Sequence, residues 1–354
     1  MADSYYQIAT TPKLYVSYPL WQYANGALDS YRLESYEGSE YESQKLLKLL
    51  QLNPSEVQDF HLDIYNQFDY RILPSYDDFT DVVDTGIWNF DFACILGHNL
   101  ASRGIQPRIS SRQSYETSGD YITTTNIVNH TPNGSPEYDG WSLMGLEDLG
   151  NNDDYIFQYE FLPTANAYID YNIGSLMFGK SYEFPQNTNL STATSYSYGI
   201  KQKKSISGKT ISTANYTKPN NWTTEPFGLG YEFGDNFQRR SGIRSWKIQF
   251  DSLSPDKVMN QNQMMNDNGY IKQDNHSVYG ADNNSLYNIN NSPDFYSRVI
   301  HKTMASHLPM IFQINKDDNS PSNFALVRIK ENSYTITQKS PNLYNIALTL
   351  IEQV

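Results

Sequence analysis

Apolar and polar residues alternate with a period of two over many short stretches of this chain, and follow helical spacing over only a few. Period two places alternate side chains on opposite faces, as in a half-buried strand. Lys13-Leu14-Tyr15-Val16-Ser17-Tyr18 has this pattern. Pro19 follows and lacks an N–H for a ladder, so the strand is expected to lie at a sheet edge or to end there. Residues 88–100 hold the densest apolar run, Phe92-Ala93-Cys94-Ile95-Leu96, followed by Gly97-His98-Asn99. A central strand leading into a turn is predicted, with Gly97 or Asn99 taking positive φ. Residues 155–161 and 167–173 read as two strands, and Pro163-Thr164-Ala165-Asn166 between them suggests a hairpin. Further strands are predicted at 194–199, 205–210, 246–250, 310–313, 324–329 and 343–351. In the last of these Tyr344, Ile346, Leu348 and Leu350 face one way, and Asn345, Ala347 and Thr349 the other. Trp246, Ile248, Phe250, Leu348 and Leu350 are expected to share a core.

Helical spacing is confined to short segments. Residues 43–51 predict a short helix, stopped by Asn53-Pro54. Residues 76–83 predict another helical turn. Ser292-Pro293-Asp294 reads as a helix start, with Ser292 as N-cap, Pro293 first and Asp294 in the first turn. Phe295, Val299 and Thr303 then share a stripe, and the helix near 293–305 should end before Leu308-Pro309. Residues 256–291 are rich in Asn and poor in aliphatic residues. They read as a long polar loop, or an arm that a neighbouring subunit orders.

Composition reinforces the strands. The chain has 354 residues, with 29 Tyr, 16 Phe and 5 Trp, while charged residues are only 18%. Aromatics suit pleated surfaces, and small polar residues suit turns, so a mainly β fold is expected. Exposed Tyr also gives large contact area at low entropy cost. The net charge of −13 repels phosphate, which argues against nucleic acid as a direct partner. Lys201, Lys203, Lys204 and Lys209 read as a solvated strand and turn. No stretch approaches 18 apolar residues, and the first residues lack a basic, then apolar, leader. No membrane span is expected, and synthesis in a cytoplasm fits.

Candidate chemistry is sparse. Cys94 is the single cysteine, so no disulfide within the chain forms, and its apolar surroundings read as a buried small hydrophobe. None of the six His pairs at i, i+4 beside a Glu, and there is no Cys-x-x-Cys, P-loop or Gly-x-Ser-x-Gly. His98 alone sits in a motif, where a turn-capping His outweighs a catalytic one. Asn151-Asn152-Asp153-Asp154 and Lys316-Asp317-Asp318-Asn319 carry hard oxygen ligands of the kind Ca²⁺ takes, but ordinary Asx-turn loops explain them better. No metal and no cofactor is therefore expected. Trp21, Trp88 and Trp141 are candidate sugar-stacking platforms, against a plain core role. Arg239, Arg240 and Arg244, with Arg298 and Arg328, are candidates for bidentate contacts to carboxylates of other subunits, against pairing within the chain.

The order of segments 239–250, 295–300, 308–313 and 343–352 resembles the C-terminal region of a family of tailed-bacteriophage virion proteins. These are best known from marine phages and described as structural or tail proteins. Leu96-Gly97-His98-Asn99-Leu100-Ala101-Ser102 is similar to runs in discoidin-like β-sandwich modules of phage virion proteins. Residues 173–180 look like the point where those proteins leave the sandwich. The resemblance implies a discoidin-like or jelly-roll sandwich with small helical insertions over residues 1–175. It further implies a β-sandwich or barrel-like domain with one helix over 176–354. The expected function is a structural subunit of a virion tail or baseplate, a ring or hub component. Its partners would be its own copies and other virion proteins, and it would be no enzyme. The alternatives are a carbohydrate-binding adhesin that attaches to a host surface glycan, and a capsid decoration protein.

Overall fold

A computed structural model describes residues 10–24, 33–35, 47–53, 56–62, 66–71, 90–112, 120–147, 156–164, 169–189, 192–214, 242–259 and 293–353. The fold is mainly antiparallel β, in agreement with the expected class. Strands are numbered in chain order. One large sheet runs β13 (Ala193–Ser197), β16 (Ile243–Leu253), β20 (Leu343–Glu352), β18 (Phe324–Ile329), β17 (Met310–Gln313), β1 (Lys13–Ser17), β12 (Ser175–Glu183), β5 (Phe92–His98), β9 (Gly140–Glu147) and β8 (Thr123–Val128). A further strand, β19 (Thr335–Ser340), pairs with β20. A smaller sheet runs β2 (Leu33–Ser35), β4 (Asn66–Arg71), β10 (Ile156–Pro163), β6 (Ile105–Arg112) and β7 (Asp120–Tyr121). Two ribbons complete the strands: β3 (Gln58–Leu62) with β11 (Ile169–Ile173), and β14 (Ile200–Lys204) with β15 (Thr210–Ala214).

One face of the large sheet carries two cores. Ala93, Ile95, Met144, Leu176 and Phe178 pack against Ile105, Ile109, Tyr159 and Phe161 of the smaller sheet, which makes a sandwich. Farther along, Trp246, Ile248, Phe250, Leu348 and Leu350 share a core with Leu14, Val16, Phe295 and Val299, as the alternation predicted. The opposite face carries Tyr15, Phe92, Cys94, Leu96, Trp141, Ile311 and Phe324. β5 is buried on both faces, so all seven of its residues are buried. Trp141 on β9 meets Phe324 on β18 with ring centroids 5.4 Å apart. Four strands lie between them in the sheet order. Laid flat at about 4.8 Å per strand, that separation would exceed any side-chain reach. The sheet therefore curls around this third core, in a barrel-like manner.

Several sequence expectations need correction. Of the two outcomes expected from Pro19, the strand end is the one found: β1 stops at Ser17, and it is not an edge strand, since it pairs with β12 on one side and β17 on the other. Pro19 lies in the first turn of the helix Tyr18–Ala24, where its missing N–H costs nothing. β10 and β11 form no hairpin. β10 pairs with β4 and β6, and β11 with β3. The two belong to different sheets, and Phe161 meets Tyr171 at a centroid distance of 5.6 Å. The expected strand at 205–210 is a turn at its centre, with strands on either side. The turn after β5 is as expected, since of Gly97 and Asn99 it is Gly97 that takes the left-handed conformation, at φ 66.

The helix after Pro293 is a π-helix, Tyr296–His301. Asp294 is the side chain that caps it. It accepts from the Ser297 N–H at 2.9 Å and the Ser297 hydroxyl at 2.7 Å. The stripe of Phe295, Val299 and Thr303 is fully buried. Residues 255–258 are a helical turn that buries Val258, so the polar segment does not begin as a loop. Residues 47–49 are helical, as expected. The expected turn at 76–83, the N-cap Ser292 and residues 260–291 lie outside the described residues. The boundary expected at 175/176 falls at the first residue of β12, and the sheet continues across it.

Candidate functional site

The Gly-His-Asn motif closes β5. A β-bulge between Leu96 and His98 places Gly97 without a partner on β9. Its φ of 66 is a conformation that glycine adopts without strain. The bulge directs His98 into the interior, where it is fully buried. The Ser142 hydroxyl donates to the Asn129 carbonyl at 2.8 Å. Its oxygen then accepts from His98 Nε2–H at 2.9 Å, and Nδ1 accepts the Leu100 N–H at 3.4 Å. These contacts fix the neutral Nε2–H tautomer. Burial pushes the His98 pKa down to about 3. Asn129 holds the adjoining loop, accepting from the N–H groups of Glu137 and Tyr138 and donating to the carbonyls of Tyr138 and Trp141. A Ser–His pair is thus present, but both members are sealed from solvent. Neither has a face open to a substrate, and the arrangement caps a turn.

The tryptophans are engaged as well. Trp141 is buried at 1% exposure in the curled core. Trp21 has the buried Lys302 Nζ over its ring at 3.4 Å, with His301 edge-on at 5.4 Å. The lysine side chain occupies the ring face that a sugar would need. Trp88 lies outside the described residues.

Arg244 on β16 is buried and forms a bidentate pair with Glu352 on β20, with Nη2 at 2.9 Å and Nε at 3.2 Å from Oε1. Its own backbone N–H adds a contact to Oε2 at 2.9 Å, and Nη2 also donates to the Phe324 carbonyl at 3.2 Å. The guanidinium lies over Trp246 at 4.9 Å. This arginine is therefore committed to partners within the chain, the alternative weighed against an intersubunit contact. Arg239 and Arg240 lie outside the described residues.

The loop Lys316-Asp317-Asp318-Asn319 turns its oxygens toward amide groups. Gln313 Nε2 donates to the carbonyls of Lys316 and Asp318 and to Asn319 Oδ1. Asn323 Nδ2 donates to the carbonyls of Asn315 and Asp318. Asn315 Oδ1 accepts the Asp317 N–H at 3.2 Å and Asp318 Oδ1 the Ser320 N–H at 2.9 Å, which is the Asx-turn pattern. Among the described residues no group of three His, Cys, Asp or Glu side chains is placed to hold a metal ion. Asn151-Asn152-Asp153-Asp154 lie outside them.

Two features escaped the sequence reading. Glu352 falls on the buried face of β20, in step with Ile346, Leu348 and Leu350. A carboxylate at that place in an apolar period is a legible signal for a buried partner. The second is the surface around β13, where all five strand residues, Tyr196 among them, are exposed, together with Tyr198. Among the described residues no helix is long and apolar enough to cross a membrane. No protein-family model matches the chain, and neither a curated protein nor a solved structure does.

Proposed function

We propose that this chain is a structural subunit of a tailed-phage virion, in the tail or baseplate, and that it acts through repeated contacts with its own copies and other virion proteins. The motif order at its C-terminus motivates the reading. The observation that carries it is the contrast between its interior and its surface. Of the side chains weighed above for chemistry or contacts, His98, Ser142 and Arg244 are turned inward and engaged within the chain. Large aromatic side chains are instead exposed at Tyr121, Tyr196 and Tyr198. Tyr is favoured at protein contacts because it offers wide contact at little entropy cost. Trp21 and Trp141 give no support to a glycan platform, since one ring is covered and the other buried.

The test is the composition and symmetry of purified particles. The chain should be a stoichiometric component, arranged with closed cyclic symmetry around a tube and burying more than about 1,000 Å² per contact. Its absence from particles overturns the proposal. Scattered lattice positions on a shell would move it to capsid decoration.

A further inference from the structure

The β14–β15 ribbon stands apart from every core. Its strands pair only with each other among the described residues. Every residue from 193 to 213 is exposed except the half-buried Ser205. Ile200 is 57% exposed, Ile211 is 56% exposed, and Ile206 at the turn has no cover at all. The turn is nonetheless well built. Ser205 and Lys209 close the ladder at 2.9 Å, and Ser205 Oγ accepts the Lys209 N–H at 3.1 Å. Gly208 takes φ 79 with open space around it. An isolated two-stranded ribbon is marginal in water, and an apolar tip in full solvent adds nothing to it.

Charge indicates what covers the ribbon. From Phe184 through Thr224 the chain has no Asp or Glu, yet this stretch holds Lys201, Lys203, Lys204 and Lys209. The chain as a whole carries −13. Cross-strand register puts Lys201 and Lys203 on one face with Ile211, and Lys204 on the other with Ile200. Each face therefore presents a cation beside an apolar side chain. Two such ribbons laid edge to edge would bring lysine against lysine, which disfavours ribbon-to-ribbon pairing.

We infer that the 200–214 ribbon is a docking arm that inserts its Ile206 tip and lysines into an acidic surface of a second copy of this chain. It rests on the assembly reading above and names the element that makes the contact. The contact joins two different patches, so it is heterologous, and repetition closes a ring or extends a filament. Opposite charges speed and orient such docking, and salt weakens it.

Sedimentation of the full chain tests this apart from any particle. At about 50 mM salt the protein should form species larger than a monomer, and about 500 mM salt should weaken their association at least tenfold. Lys201→Glu/Lys203→Glu/Lys204→Glu and Ile206→Asp should each give monomers at either salt, with the thermal unfolding of the native chain unchanged. A wild-type monomer at both salts overturns the inference. Assembly that survives both variants overturns the role of the ribbon and leaves the assembly reading standing. A monomer that binds anionic lipid vesicles or a nucleic-acid duplex through these lysines overturns the choice of partner. Particles that contain the chain while the variants incorporate equally well reject the arm alone.

Discussion

At the scale of single residues, burial decides which groups titrate and which hold the fold. His98 is neutral in the folded chain, with its pKa lowered from 6.5 to about 3 by burial. Between these values the unfolded chain binds a proton that the folded chain does not. Stability therefore rises with pH across this window and is lost as pH falls from about 6.5 toward 3, by up to about 1.4 kcal/mol per pH unit for one proton. His98→Gln, whose amide can donate to Ser142, should flatten this slope in urea unfolding measured at pH 4 to 7. An unchanged slope would mean that other groups set the acid limit. Arg244 and Glu352 make the opposite case, a charged pair kept inside. Arg244→Ala should cost about 3–5 kcal/mol, because the Glu352 carboxylate would stay buried without its countercharge. Arg244→Met with Glu352→Leu should recover most of that loss, as read from urea midpoints. Cys94 was legible as buried from the apolar run around it, and His98 as a turn-capping His, though not as a fully buried one. The partner of Arg244 was not, because β16 and β20 meet only through tertiary pairing, although Glu352 in an apolar period gave the hint.

At the scale of elements, local pattern was a good guide wherever one face was buried. β16 and β20 follow their alternation, the dense apolar run of β5 is buried on both faces, and the 295–303 stripe is buried as its spacing implies. Errors fell where the choice of partner mattered more than the local residues. β10 and β11 have hairpin-like spacing but pack face to face from different sheets. β19 lacks an apolar alternation strong enough to mark it, and only Ile336 and Ser340 are partly buried along it, as β20 supplies its ladder. The 205–210 segment was read as a strand although Ser-Gly marks a turn, and its exposed isoleucine obscured that signal. Close approach between elements is also invisible in the sequence. Gly179 on β12 lies against β1, and a Cβ there would collide with the Val16 carbonyl. Gly179→Ala should destabilise the chain by about 1–3 kcal/mol, since backbone must move to admit the methyl. Thermal unfolding would show it, and an unchanged midpoint would mean that β1 and β12 are farther apart.

For the whole molecule, the consequence of β1 reaches farthest. The strand comes from the N-terminal end, yet it fills the gap between β12 and β17. Its alternate residues serve different cores. Leu14 and Val16 join Trp246, Phe312 and Leu348, while Tyr15 packs edge-on to Phe92 at 5.1 Å and donates its hydroxyl to Gln313 at 2.8 Å. A sequence pattern shows that such a strand exists, but not that it closes a sheet with strands some 300 residues away, since that depends on pairing rather than on period. The C-terminal half is thus built around a strand it does not encode. Residues 176–354 expressed alone should lack the β1 ladder on both sides and lose two buried apolar side chains from the core. Such a fragment should be unfolded or loosely packed, with weak near-ultraviolet circular dichroism. A peptide spanning residues 10–18 should restore a sharp unfolding transition, because it returns Leu14, Tyr15 and Val16 together with their hydrogen bonds. The same peptide with Leu14→Asp and Val16→Asp should fail, since each carboxylate would enter the core unpaired. A fragment that folds cooperatively without the peptide would show that the two halves are independent units and that β1 is an addition to a sheet already stable.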